Sequence, residues 1–373
     1  MQEAGYETGY IGKWHLGKAG GEPLYQGFET SIMAGASGAP PSYFLPYEVK
    51  VVDGDSKGFE PYSGGEKGEY LTDRLTDEAL RFIEDRKDGP FLLVLAHYAV
   101  HTPIQAPEEL SEKYRAKTRE QGIPEGGPRS DRDVKVDNTG QYKTVQNNAV
   151  YAGMVESVDA NLGRIIDRLE ELGLTENTVL ILSSDHGGLS SRGLESKREL
   201  ATSNLPYRHG KGWLYDGGLR VPLIVKWPGK VQAGAVSPVQ VTGTDHYPTL
   251  LELAGVPLRP EQHSDGRSYS PALSGETYRR DPMFFHSALG RPAQTGDTRS
   301  SAVIHGDWKL IQWYSLEDES IERTELFQIS TDPGEQINRY AEETAKAQEL
   351  ESMLNEWKNS VNARLGRFKR GGV

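Results

Sequence analysis

Lys13 and His15 stand two residues apart in GYETGYIGKWHLG, near the start of a 373-residue chain. Three more stretches carry similar side chains: HYAVHTPIQAP with His101, SSDHGG with Asp185 and His186, and RHGKGWLYDGGLR with Lys211. Lysine, histidine and aspartate are the side chains of charge stabilisation, proton transfer and metal ligation. The glycines among them let backbone come close to backbone or ligand. In an extended segment Lys13 and His15 would share one face. Taken singly, each residue has an ordinary reading. His101, before Thr-Pro, could be a loop histidine bonded to backbone; SSDHGG could be a polar strand end with its turn; Lys211 could be a solvated surface lysine. His97, inside an apolar run, and His209, His246, His263, His286 and His305 are read as structural, and the Trp308–Trp313 cluster as core.

The joint placement of the four stretches favours function. Glu69 to Arg86 has Leu71, Leu75, Ala79, Phe82 and Ile83 at helical spacing. FLLVLAHY then forms a continuous apolar run, the pattern of a strand covered on both faces. Gln146 to Leu172 reads as a long helix with Val150, Met154, Val158, Leu162, Ile165, Ile166 and Leu169 as its stripe, stopped by Gly173. NTVLILSSDHGG and VPLIVKWPG repeat the apolar strand, and DHYPTLLELAGV begins another helix. Helix, strand, helix, strand predicts a doubly wound, mostly parallel α/β sheet. Ligands of such sheets sit at the carboxyl ends of the strands, where these residues fall. Glu112 to Thr144, charged and rich in Gly and Pro, is expected to be a long loop. Beyond about Pro257 short strand candidates and a helix over Glu342 to Leu365 suggest a small α+β subdomain with an antiparallel sheet. The expected division is 1–256 and 257–373.

Composition narrows the function. A net charge of −12 argues against a nucleic-acid surface. The chain has no cysteine, so a disulfide, a thiolate metal site and a thiol nucleophile are all excluded. No apolar run approaches the length of a membrane span, and Met1 to Thr8 does not resemble a signal peptide.

GYETGYIGKWHLG resembles the second signature of the sulfatase family, within the alkaline-phosphatase superfamily. HTPIQAP, SSDHG, HGKGWLYDGGLRVPLIVKWPG, TDHYPTLLELAG and ELFQISTDPGEQ resemble further blocks, in the family's order, from Gly5 to about Gln336. The resemblance implies hydrolysis of a sulfate ester, with a sulfated carbohydrate or an aryl sulfate as substrate. It implies a calcium site and a formylglycine nucleophile made from a Cys/Ser-x-Pro-x-Arg motif. Carried over, Lys13 would hold the sulfate, His15 would be the base that releases it, and His101 and Lys211 would bind it and assist the leaving oxygen. Asp185 and His186 would be calcium ligands. Fixed cations suit a transferring sulfuryl group, whose oxygens carry diffuse negative charge.

In the family an Asp-Asp pair and the Cys/Ser-x-Pro-x-Arg motif come before the GK-x-H block. Only Met1 to Ala4 precede it here, and no such motif occurs in the sequence. The expectation is a sulfatase read from an internal methionine or a gene fragment, inactive as it stands, or else a degenerate paralogue. Family analogy would place the full-length protein in the periplasm or outside the cell. The alternatives are a phosphatase or phosphodiesterase of the same superfamily, which would use two transition metals, and a non-catalytic module for sulfated glycans.

Overall fold

The run ETGYIG forms strand β1 (Glu7–Gly12), in which every residue after Glu7 is buried. The computed structural model of the chain describes residues 1–17, 20–47, 49–50, 56–57, 65–126 and 133–366. Strand β1 lies between β2 (Thr30–Ile32) and β3 (Phe91–Ala96), parallel to both. Helix α1 (Leu71–Asp85) crosses from the β2 region back to β3 and buries the predicted stripe of Leu71, Leu75, Ala79, Phe82 and Ile83. Four of these pack with Ile11 and four tyrosines, against the half-buried Leu93 and Leu95. Gly9 lies under this helix: a Cβ there would come within 2.4 Å of the Phe82 ring.

The segment 112–144 is not one long loop. It contains most of helix α2 (Glu108–Glu120) and strands β4 (Val134–Asp137) and β5 (Gly140–Lys143); residues 127–132 lie outside the described part. Helix α2 has no apolar stripe to betray it. Exposed ion pairs run along it: Arg115 reaches Glu108 at 2.6 Å and Glu125 at 3.3 Å, and Arg119 reaches Glu112 at 2.6 Å. Helix α3 (Ala149–Glu171) starts at Asn148, whose side chain accepts the Tyr151 N–H at 3.0 Å. It ends before Gly173, which takes φ 69°. Of its predicted stripe, Met154 and Leu169 are buried and the others half-buried.

Strand β6 (Leu180–Ser183) precedes SDHGG. After β7 (Ser191–Gly193), which extends the β4–β5 pair, comes the short helix α4 (Asp216–Leu219). Strand β8 (Leu223–Lys226) then pairs antiparallel with β6, and helix α5 (His246–Leu253) follows. The parallel part of the sheet is thus β2-β1-β3. Among the described residues β3 has one strand neighbour, and so has β6.

Strands β9 (Met283–Ser287), β10 (Ser300–His305), β11 (Trp308–Tyr314) and β12 (Ile321–Gln328) form an antiparallel sheet in chain order. Helix α6 (Thr344–Ser360) covers one face through Leu350 and Leu354. The other face packs against Trp213, Leu214 and Tyr215 of the segment that carries Lys211. That segment is also joined by charge. The buried Lys309 ammonium donates to Asp216 at 2.8 Å and forms an ion pair with Glu335 at 2.8 Å, and Asp216 N–H donates to Glu335 at 2.6 Å. No described helix is long and apolar enough to cross a membrane.

Candidate anion site at the strand ends

Gly12 closes β1 with φ 98°, and a Cβ on it would stand 2.1 Å from the Ala96 carbonyl oxygen. Only glycine lets the two strand ends meet so closely. The next N–H, of Lys13, donates to that oxygen at 2.7 Å. The carboxyl ends of β1 and β3 are therefore locked together, and Lys13 leaves from them. Its Nζ lies 3.9 Å from Oδ2 of Asp185, which follows β6. Asp185 Oδ1 accepts the His186 N–H at 3.0 Å, and Oδ2 stands 3.2 Å from His186 Nε2. His186 Nδ1 donates to the Gly187 carbonyl at 2.9 Å.

Lys211 comes from the loop before α4. Its N–H donates to the Gly188 carbonyl at 3.1 Å, which ties it to the loop after β6. Asn204 reinforces this tie: its side-chain amide donates to the carbonyls of Gly188, His209 and Gly217 at 3.0–3.1 Å. The two loops approach closely, since a Cβ on Gly187 would fall 1.8 Å from the Gly217 oxygen. His101 Nδ1 donates to the Thr102 carbonyl at 2.8 Å, which leaves Nε2 as the free nitrogen.

The charges of these residues bear on one another. Burial holds the His101 pKa down at about 4; the Thr102 hydrogen bond opposes this, and the cations Lys211, Lys13 and Arg198 add to it. The Lys211 pKa is lowered to about 8, first by burial, then by Lys13 and Arg198; Asp185 acts against this and Arg291 with it. The His186 pKa is lowered by burial, against the pull of Asp185. At neutral pH the site thus presents ammonium and guanidinium groups around a neutral imidazole. Such a set of charges suits an anion.

Five of the six residues singled out in the sequence meet here. His15 does not join them. It takes φ 56°, which breaks the extended path expected from Lys13 to His15. Its exposed ring lies over Gly38, and it makes no hydrogen bond or ion pair with the other five among the described residues. His209, read as structural, is buried, stacked 3.7 Å above Trp213 and 3.3 Å from Asp137. Arg198, Arg291 and Asn204 escaped the sequence reading: they stand in polar loops with no motif around them, and only the fold brings them to Lys211.

Asp185 and His186 do not by themselves fit calcium. The ion wants six to eight oxygens. Here one carboxylate and one nitrogen face each other, and no group of three or more His, Asp or Glu side chains suited to a metal occurs among the described residues. Nor does any residue fit the formylglycine role, since the sequence has no cysteine and no Ser-x-Pro-x-Arg.

Comparison with known proteins shows the family. The sulfatase family profile matches residues 1–256. The chain belongs to the sulfatase family. A second profile, for the C-terminal part of N-sulphoglucosamine sulphohydrolase, matches residues 208–362. A sulfatase of Formosa agariphila is 30% identical, over 98% of this chain and 70% of that protein. The N-acetylglucosamine-6-O-sulfatase of Bacteroides thetaiotaomicron is 27% identical, over 95% of this chain and 71% of its own. Human steryl-sulfatase is 33% identical, over 58% of this chain and 32% of its own. Among solved structures, Ps i-CgsB in complex with k-i-k-neocarrahexaose has a TM-score of 0.71 at 25% identity, covering 95% of this chain and 72% of that one. The doubly wound sheet with its small antiparallel subdomain is the sulfatase fold.

Proposed function

We propose that this sulfatase-family chain binds the sulfate group of a sulfated carbohydrate at Lys13, His101 and Lys211, as part of sulfate-ester hydrolysis. The observation that carries the reading is a partly buried imidazole, His101, that feels the charges of both Lys211 and Lys13, with Asp185 as counter-charge 3.9 Å from Lys13. Lys13 and Lys211 hold the sulfate oxygens and stabilise charge that grows on them. His101 is neutral until an anion arrives; the anion offsets the neighbouring cations and raises its pKa, so that its ring can hold a proton near the leaving oxygen. Asp185 and His186 form the acidic side of the site, where the family's calcium would bind if further oxygen ligands joined them. The division at residue 256 belongs to the same reading. His15 is left out of it.

The carbohydrate is proposed from the relatives. The N-acetylglucosamine-6-O-sulfatase and the k-i-k-neocarrahexaose complex support it, whereas the steryl-sulfatase covers less of this chain. A second reading has its own support. With no formylglycine precursor in the sequence, these residues would serve a module that binds sulfated glycans without turning them over. Two measurements test and separate the readings. Calorimetric titration with glucosamine 6-sulfate should show binding that Lys211→Ala and Lys13→Ala each weaken about tenfold, the loss of one charge-assisted contact. Undiminished binding in both variants would sink both readings. Turnover of 4-nitrocatechol sulfate by the chain, abolished by Lys211→Ala, would dismiss the binding module; its absence would leave hydrolysis to a form that carries a nucleophile.

A further inference from the structure

Arg198 and Arg291 stand beside Lys211, yet the sulfate reading gives them nothing to do. Arg198 is half-buried in the stretch between β7 and Asn204. Its backbone is fixed, with the N–H donating to Ser196 Oγ and the carbonyl accepting from Arg192, each at 3.2 Å. Its guanidinium has no carboxylate partner among the described residues. The adjacent Glu199 turns elsewhere, accepting from the Asn148 amide at 3.4 Å. Burial and the charge of Arg291 both push the Arg198 pKa down.

Arg291 arrives from the other side, on the connection between β9 and β10. The Gly193 N–H, donating to Gln294 at 3.1 Å, seats this connection against β7. One terminal nitrogen of Arg291 occupies the space where residue 212 would otherwise carry a side chain: a Cβ on Gly212 would stand 2.6 Å from it. The glycine directly after Lys211 therefore makes room for the guanidinium. Arg291 has a partial counter-charge, with its Nε 3.8 Å from Asp297 Oδ1. That carboxylate also accepts the Arg291 N–H at 3.1 Å and the Thr295 hydroxyl. The arginine side chain stays 43% exposed, so its remaining N–H groups are available to a ligand.

Two guanidiniums close enough to feel each other's charge, with a single carboxylate, Asp297, set against Arg291 alone, repel each other. Such an arrangement is stabilised by an anion, and the planar fork of arginine suits a sulfate or carboxylate. In a chain of net charge −12, a local excess of cations beyond the two lysines marks a place built for more than one negative group.

We propose that Arg198 and Arg291 form a second anion subsite next to Lys211, so that the substrate carries another anionic group, a sulfate or a carboxylate, near the sulfate held by Lys13 and Lys211. The C-terminal subdomain thereby takes part in substrate selection through Arg291. This inference rests on the sulfate reading above for the first anion, and its test separates the two.

The experiment is calorimetric binding of three probes at one ionic strength: glucosamine 6-sulfate, glucosamine-2-N,6-O-disulfate, and a chondroitin 6-sulfate disaccharide that bears one sulfate and one carboxylate. The protein should prefer one of the doubly anionic probes over the monosulfate by about tenfold, the effect of one charge-assisted contact. Which probe is preferred distinguishes a second sulfate from a carboxylate. In Arg198→Ala/Arg291→Ala the preference should fall to below about threefold. Arg198→Lys/Arg291→Lys, which keeps the charges, should retain more of it, and thermal midpoints within a few degrees of the parent would show that both variants fold. No preference in the parent protein, or a preference that survives the double alanine change, overturns the subsite. If Lys211→Ala leaves monosulfate binding intact while the double alanine change still abolishes the preference, the subsite stands and the sulfate reading falls.

Discussion

Raising the pH from 7 to 9 should weaken sulfate binding through Lys211 alone. Its pKa is lowered to about 8 by burial and by Lys13 and Arg198. About nine-tenths of the side chain is therefore charged at pH 7 and about one-tenth at pH 9. A bound dianion favours the ammonium, so the complex keeps the proton that the free protein loses. Affinity then falls as pH rises through 8, by about tenfold between 7 and 9 if only the charged form binds. The His101 pKa is held near 4, and that of Tyr10 is raised to about 12, by burial and the Asp185 charge. Sulfate stays a dianion throughout. The assay is calorimetric titration with sodium sulfate at constant ionic strength, in the parent protein and in Lys211→Arg. Arginine keeps its charge to pH 9, so the variant should show a flat profile whatever its absolute affinity. A flat profile in the parent protein, or the same slope in Lys211→Arg, would refute the reasoning.

Lys211→Met should raise stability at pH 7 by about 1 kcal/mol after discount for the half-buried position. The sign follows from a folded pKa of about 8 below the usual 10.5: the unfolded chain binds the extra proton, so the parent gains stability between pH 8 and 10.5 and bears the full cost below 8. Thermal midpoints at pH 7 and 10 would check it, and a midpoint lowered at pH 7 would contradict it. Calcium should bind weakly, because Asp185 and His186 are too few ligands; a dissociation constant in the low micromolar range or tighter, by calorimetry, would be inconsistent with that. Lys309→Met should cost about 3–5 kcal/mol in urea unfolding, since it strands two carboxylates, Asp216 and Glu335, in the interior. Gly187→Ala should lower both stability and sulfate affinity by pushing apart the loops that hold Asp185 and Lys211, and an unchanged midpoint would refute the close approach.

Much of the site could be read from the chain because it obeys two local rules. Apolar runs of strand length and stripes of helical spacing announced α1, α3, β3 and β6, and Asp185, just after β6, lies 3.9 Å from Lys13, just after β1. Helix α2 went unread because its charged surface leaves no hydrophobic period, and strands β4, β5 and β7 because they are three or four residues long and built largely of polar residues and glycine (VKVD, GQYK, SRG). The turn of His15 depends on one positive φ, which no alternation pattern reports. Arg198 and Arg291 are 93 residues apart in sequence, and nothing local distinguishes them from solvated arginines. Their meeting is a property of how the C-terminal sheet seats, which is a matter of tertiary packing.

The Lys309–Asp216–Glu335 contact makes the anion site hostage to a distant part of the gene. Asp216 lies five residues after Lys211, and its partners belong to β11 and to the loop after β12. A lesion in that sheet should loosen the Lys211 loop before it touches any residue that binds sulfate, so mutations there would pass for active-site defects in a screen of function. Homologous exchange of the C-terminal third between two sulfatases should likewise fail unless residues 208 to 219 travel with it. The inherited unit of this site is the loop together with its anchor.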